Sequence, residues 1–151
     1  VKPRADALNV EIKRNYDRQM GPIRMVPLDI EQIVLNLLNN SLDSIRAKRA
    51  EKGEDQISTI TVSVQSKHED EGFFYLLSIH DTGQGIKKTD ISNVLKPFFT
   101  TKSPGEGTGL GLAICQELAK KYGGMILVES KEGAWARVTL KIPHQTEKSN
   151  A

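Results

Sequence analysis

The chain has 151 residues, 38% hydrophobic and 26% charged, enough apolar material for one domain with a buried core and too evenly mixed for a disordered tail or a membrane span. Its 21 basic and 19 acidic residues leave a net charge of +2, too little to mark a binder of nucleic acid or another polyanion. One cysteine, Cys115, and three scattered histidines exclude an internal disulfide, a cysteine-based zinc site and a histidine-rich metal cluster.

In chain order, residues 8–16 (LNVEIKRNY) put Leu8, Val10 and Ile12 on one face and predict a half-buried strand. The opening VKPRADAL is no signal peptide, and a first residue other than Met suggests a piece of a longer protein. A turn at Gly21-Pro22 leads to IRMV (23–26), read as a short strand. Asp29 stands at an N-cap position with Gln32 three residues on, a capping box. Ile30, Ile33, Val34, Leu37, Leu38, Leu42 and Ile45 then follow at helical spacing to a stop near Gly53. Residues 57–65 and 73–81 are β-rich and joined by HEDEG, a hairpin loop. A short helix is expected over 88–96 and a breaker cluster at 103–107. A second helix is predicted from about 110 to 122, stopped by Gly123-Gly124. A closing hairpin, MILVES and WARVTLKIP, turns through 131–133, and 144–151 form a polar tail. The pattern predicts an α+β, two-layer α/β sandwich with a mixed, mostly antiparallel sheet and about three helices on one face.

Several segments carry candidate chemistry. On the long helix Asn36, Asn40 and Asp43 fall at about 0°, 40° and −20° and make one polar stripe. It is either a solvated face or a set of neutral oxygen ligands for a hard cation such as Mg²⁺. Asp81-Thr82-Gly83-Gln84-Gly85 follows a strand directly. The aspartate could cap a turn or accept from an exocyclic amine, with the glycines allowing a ligand close to the backbone. Residues 105–111 (GEGTGLG) hold four glycines and open into a helix, an arrangement suited to an anion on backbone N–H groups. The segment fits neither a Rossmann fingerprint, since residue 110 is Leu, nor a P-loop. Phe98 and Phe99 read as core anchors, and Lys102 as a phosphate contact.

In this order the segments resemble the catalytic ATP-binding domain of sensor histidine kinases, which shares the Bergerat ATP-binding fold of the superfamily that includes gyrase, heat-shock chaperone ATPases and mismatch-repair ATPases. NLLNNSLDS looks like the N box, DTGQG the G1 box, KPFFTTK the F box and GTGLGLA the G2 box. The likeness runs from about Leu8 to Pro143, giving a catalytic domain over 1–143, and the short lid with PFFTTK resembles the nitrogen-regulation-like branch.

The resemblance implies ATP and Mg²⁺ as cofactors. Asn36 and Asn40 would hold the metal and, with Lys102, carry catalysis. Asp81 would read the adenine amine, and Gly83, Gly85 and Ile86 would shape that pocket. Phe99, Thr100, Thr101, Gly107, Thr108, Gly109, Leu110, Gly111 and Leu112 would complete the nucleotide contacts. Two positions depart from the family pattern: Asp43, where many members carry lysine, and Ala136, where a threonine is usual. Hydrolysing relatives generally place a glutamate at position 36, whereas an asparagine cannot abstract a proton from water, which favours phosphoryl transfer.

None of His68, His80 and His144 has the context of a phosphoacceptor, so the histidine that receives the phosphoryl group is expected on a separate dimerisation domain. The partners implied are that domain and a response regulator, with no nucleic acid and no membrane contact. The isolated chain is expected to be monomeric, cytoplasmic and unable to autophosphorylate. An ATPase clamp and a non-catalytic nucleotide-binding regulator are the alternatives.

Overall fold

In the computed structural model, described for residues 1–53 and 57–144, a five-stranded sheet carries three helices on one face. The elements are α1 (Lys2–Ala7), β1 (Val10–Tyr16), α2 (Pro27–Lys52), β2 (Ser58–Glu69), β3 (Gly72–Asp81), α3 (Gly111–Lys121), β4 (Met125–Lys131) and β5 (Trp135–Pro143). The strand order is β1-β2-β3-β5-β4. Only β1 and β2 run parallel, because α2 connects them as a crossover; β2–β3 and β4–β5 are hairpins, and β5 returns antiparallel to β3 after α3 and β4. This is the predicted two-layer α+β sandwich.

The core follows from the two periodicities. Ile60 and Val62 of β2, Leu77 and Ile79 of β3 and Leu140 and Ile142 of β5 point to the helix side. Against them lie Ile33, Leu37, Leu42 and Ile45 of α2 with Cys115 and Ala119 of α3. The other sheet face is bare of helices and polar; it carries a shallow hollow between Asn15, Thr61, Ser63, Ser78, His80 and Arg137.

Several elements differ from their sequence expectation. Residues 2–7 form a helix with Pro3 in its first turn, and Leu8 caps that helix instead of opening the strand. Asn9, at φ 48°, turns the chain into β1, which therefore starts at Val10. Residues 23–26 form no ladder. Pro22 and Pro27 lack N–H donors there, and two tyrosines serve the neighbouring groups: Val26 N donates to Tyr122 Oη (3.0 Å) and Tyr75 Oη donates to Pro22 O (3.2 Å).

The long helix begins at Pro27, two residues before the expected cap, because Val26 precedes a proline and stays extended. Asp29 thus lies inside the first turn and forms no capping box. Its carboxylate accepts from Lys121 Nζ (2.8 Å) and from Tyr122 Oη, which hold it below the usual carboxylate range and tie the end of α3 to the start of α2. The hairpin loop shrinks to Asp70-Glu71, since β2 and β3 stay paired out to Glu69 and Gly72. The helix expected over 88–96 is a succession of turns. Asp90, Asn93 and Lys96 each donate to the carbonyl three residues back, and only Val94 reaches four back. The third helix of the layer is α1. The expected tail over 144–151 lies outside the described residues from 145 onward.

Candidate functional site

The site is organised by α2, whose polar stripe and flanking serines face two different parts of the chain. At one end of the stripe Asn36 and Asn40 meet the start of α3. Asn36 Nδ2 donates to Gly111 O (3.4 Å), and a Cβ on Gly111 would stand 3.9 Å from the amide of Asn40. The two amides and the first turn of α3 therefore share one surface. Two neutral amide oxygens suit a hard cation that keeps water or phosphate oxygens as its other ligands. No cluster of three His, Cys, Asp or Glu side chains among the described residues offers a competing metal cage.

Further along α2, Ser41, Ser44 and Lys48 face the end of β3. Asp81 is only 4% exposed. Its Oδ1 accepts from Gly83 N (2.9 Å), and the Ser41 and Ser44 hydroxyls also bond to the carboxylate. Burial pushes its pKa up to about 6 against those hydrogen bonds and the nearby Lys48 charge. Lys48 Nζ itself donates to Thr82 O (2.9 Å), and Gln84 N donates to Ser44 Oγ (3.1 Å). Ser41, Ser44 and Lys48 escaped the sequence reading, although their i, i+3, i+7 spacing puts them on one helix face. From Ser44 to Asn36 is eight residues, about 12 Å along the axis, which sets the distance between the Asp81 end and the asparagine end of the site.

The loop after Asp81 is stitched to the β4–β5 turn. Gly133 N donates to Gln84 O (2.6 Å) and Ile86 N to Ser130 Oγ (2.7 Å). Gly85 has φ +69°, and any Cβ there would run into the Lys131 carbonyl. Gly85→Ala is therefore expected to displace the whole turn from Thr82 to Ile86 and, for the nucleotide that the sequence resemblance implies, to lower affinity at least tenfold (a shift of ~1.4 kcal/mol or more), measured by calorimetric titration. Opposite Asp81 on β5 lies Ala136, so no threonine hydroxyl reaches the aspartate from that strand. The next ring along β3, His80, points to the bare sheet face, where it stacks on Trp135 at 5.4 Å beneath Arg137. Burial and the Arg137 charge lower its pKa, and it takes no part in the site.

Residues 98–112 arrive less completely assembled. Phe98 is 75% exposed, and Phe98 and Phe99 both stand outside the core cluster, which corrects their assignment as core anchors. The reason is local: Phe98 has φ +65°, and Gly109, at φ +68°, packs directly on its backbone carbonyl. That contact leaves the Phe98 side chain pointing outward and ties the F-box segment to the glycine loop. Thr100 Oγ1 accepts from Lys102 N (3.1 Å) and Thr108 Oγ1 from Leu110 N (3.2 Å), two short turns that shape the loop. Thr101 is exposed. Leu110 caps α3, and Leu112 packs on the core and anchors the helix start.

Lys102 does not project freely into the loop. Its Nζ lies 2.6 Å from Asp43 Oδ2, while Arg4 Nη2 lies 2.6 Å from Asp43 Oδ1. Burial opposes the ionised form of Asp43, yet Lys102 and Arg4 hold its carboxyl below the usual range, so it is no general base near neutrality. Arg4, on a helix the sequence reading missed, carried no signal pointing to the site.

Comparison with known proteins gives a consistent result. Residues 25–146 match the model of the histidine kinase-, DNA gyrase B- and HSP90-like ATPase family. The chain is 31% identical over 143 residues to the sensor histidine kinase ZraS of Escherichia coli O157:H7, covering 95% of this chain and 28% of that protein. It is 28% identical over 149 residues to the sensor kinase CckA of Brucella abortus strain 2308, covering 95% and 15% respectively. Thus it spans less than a third of the length of either relative. Its fold superposes on full-length ShkA crystallised with AMPPNP, with a TM-score of 0.76 at 24% identity, over 95% of this chain and 27% of that one. The catalytic domain of the histidine kinase ThkA superposes with a TM-score of 0.73 at 24% identity, over 94% and 84%.

Proposed function

Because the chain belongs to the family of histidine kinase-, DNA gyrase B- and HSP90-like ATPases, we propose that it is the catalytic domain of a sensor histidine kinase, binding ATP with Mg²⁺ and passing the γ-phosphoryl group to a histidine on a separate dimerisation domain. The observation that carries this reading is the pairing of Asn36 with the start of α3, with no carboxylate in its place. A hydrolase needs a base for water at that position, and an amide is none. Asp43, the acid on the same stripe, is held ionised by two cations and is a poor proton acceptor. An imidazole acceptor is already nucleophilic and needs positioning and charge neutralisation instead.

The roles divide along α2. Asp81, backed by Ser41 and Ser44, accepts from the adenine amine and selects against guanine, whose corresponding group is an acceptor. Asn36 and Asn40 supply amide oxygens to the metal, whose charge offsets that of the phosphates. Lys102 and the N–H groups from Gly107 to Leu112 receive phosphate oxygens at the start of α3. Phe99, Thr100 and Thr101 border the loop that carries Lys102.

The PFFTTK segment and the short lid support a place in the nitrogen-regulation-like branch. A response regulator would then receive the phosphoryl group in the cytoplasm. No described helix is long and apolar enough to cross a membrane. The isolated chain, which this reading treats as one domain over 1–143, would be monomeric.

The test supplies radiolabelled ATP and Mg²⁺ together with a histidine-bearing dimerisation domain from a relative such as ZraS. Acid-labile label on that domain, with slow ATP turnover by the chain alone, is the expected result. Steady hydrolysis without an acceptor would instead support the ATPase-clamp reading, and binding with no transfer to any acceptor would support a regulator.

A further inference from the structure

We infer that Asp43 is a positioning residue for Lys102, and that Arg4, from the helix preceding the family-matched region, completes this positioning by neutralising Asp43 on its far side. The inference rests on the nucleotide reading above and concerns how the phosphate lysine is held. The Lys102 side chain spans the gap between the glycine loop and α2. Its stem passes Gly107, where a Cβ would approach Lys102 Cδ to 2.7 Å, and its ammonium ends on Asp43 Oδ2 at 2.6 Å.

Asp43 lies on the same stripe as Asn36 and Asn40, so the contact brings the ammonium to the asparagine side of the site. A lysine ammonium has three donors, and the Asp43 bond uses one, leaving two for phosphate oxygens. A bare carboxylate there would repel a polyphosphate. Arg4 prevents this: Nη2 lies 2.6 Å from Asp43 Oδ1, and Nη1 donates to Asn39 Oδ1 at 2.6 Å. Arg46 approaches the same carboxylate at 4.0 Å. Three cations around one anion leave the cluster net positive, as a polyphosphate site requires. The pairing also accounts for an acid at position 43: with Lys102 drawn across the site, a second lysine at this helix position would repel it.

The experiment measures the affinities of the whole chain for Mg-ATP and for AMP, by calorimetry and amide chemical-shift titration, in wild type, Asp43→Asn, Asp43→Glu, Lys102→Met and the Asp43→Asn/Lys102→Met double variant. The expected result is a roughly tenfold loss of ATP affinity in Asp43→Asn with AMP affinity unchanged, partial recovery in Asp43→Glu, and no further loss when Asp43→Asn is added to Lys102→Met. Unchanged AMP binding also certifies that the variants fold. Tighter ATP binding by Asp43→Asn would mean that the pair restrains the lysine, and would overturn the inference. So would an unchanged ATP-to-AMP affinity ratio. Failure of the wild-type chain to bind either nucleotide would overturn the nucleotide reading itself, a result distinct from both.

Discussion

Asp81→Asn is expected to separate binding from stability, with opposite signs. The lost charge-assisted bond to the adenine amine costs ~1.5–3 kcal/mol, roughly 10- to 150-fold in affinity for ATP. The free domain should become more stable at the same time. The Asp81 pKa rises from 3.8 to about 6 on folding, chiefly through burial, so the folded state disfavours its charge. Stability attached to this group is fully present below the unfolded pKa of 3.8 and is lost as pH rises through about 6. At pH 7.5 the buried charge therefore costs the fold on the order of 2–3 kcal/mol, which the amide relieves.

Thermal unfolding of the variant at pH 7.5 should show a melting temperature raised by roughly 5 °C, the gain vanishing near pH 4. A wild-type affinity for ATP that is level above pH ~7 and falls about tenfold per unit below ~6 would be the matching binding signature, absent in the variant. A lowered melting temperature in Asp81→Asn would mean that the hydrogen bonds from Gly83, Ser41 and Ser44 outweigh the burial of charge.

Leu37→Ala is expected to act in the reverse sense. Leu37 is fully buried between sheet and helix layer, about 100° from Asn36 and 60° from Asn40 around the helix. Truncation removes about 2–5 kcal/mol through lost transfer energy and the cavity left behind. For a domain of this size that corresponds to roughly 5–15 °C in melting temperature. Asn36 keeps its hydrogen bond to Gly111 O, a contact in which Leu37 takes no part. The folded fraction at low temperature should therefore bind ATP as the wild type does, which calorimetry well below the transition would check. Loss of ATP binding in the folded variant would show that the helix position itself, set by Leu37, governs the site.

The two variants describe one helix with two duties. Its Asn36–Asn40–Asp43 stripe meets α3 and Lys102, while Ser41 and Ser44, set among the buried apolar residues that hold the layers together, meet the end of β3. A mid-helix run of Asn, Ser and Asp is unfavourable for helix propensity. It persists because the stripe meets specific partners: Gly111 O for Asn36, the carboxylate of Asp81 for Ser41 and Ser44, and Lys102 for Asp43. The same division explains why Asp81 can be buried at such cost. On the proposed reading its charge is what a base amine recognises, and the serines and Lys48 partly offset its burial.

Elements whose signal is local and long are legible in the residues alone. Ile33 to Ile45 at helical spacing, the alternation through Ile60, Val62 and Val64, and the helix from Gly111 each repeat a pattern over many residues, so periodicity alone identifies them. The four motifs were legible for a related reason: Asn36, Asn40, Asp81 and the glycines mark positions where few other side chains can serve, and their order along the chain is itself specific. Six-residue α1 has too few turns to show a period. Residues 23–26 alternate like a strand, yet a strand exists only when another strand supplies its hydrogen bonds, and here Val26 N donates to Tyr122 Oη while Tyr75 Oη holds the carbonyl of Pro22 just before.

The electrostatics arise only when the chain folds. Asp43 reads as a solvated acid until Arg4, 39 residues before it, and Lys102, 59 residues after it, are brought to its two oxygens. The raised pKa of Asp81 likewise depends on the layers that close over it. Both are sums over neighbours distant in the chain, in a medium whose polarity is set by packing, and no local pattern of residues encodes them.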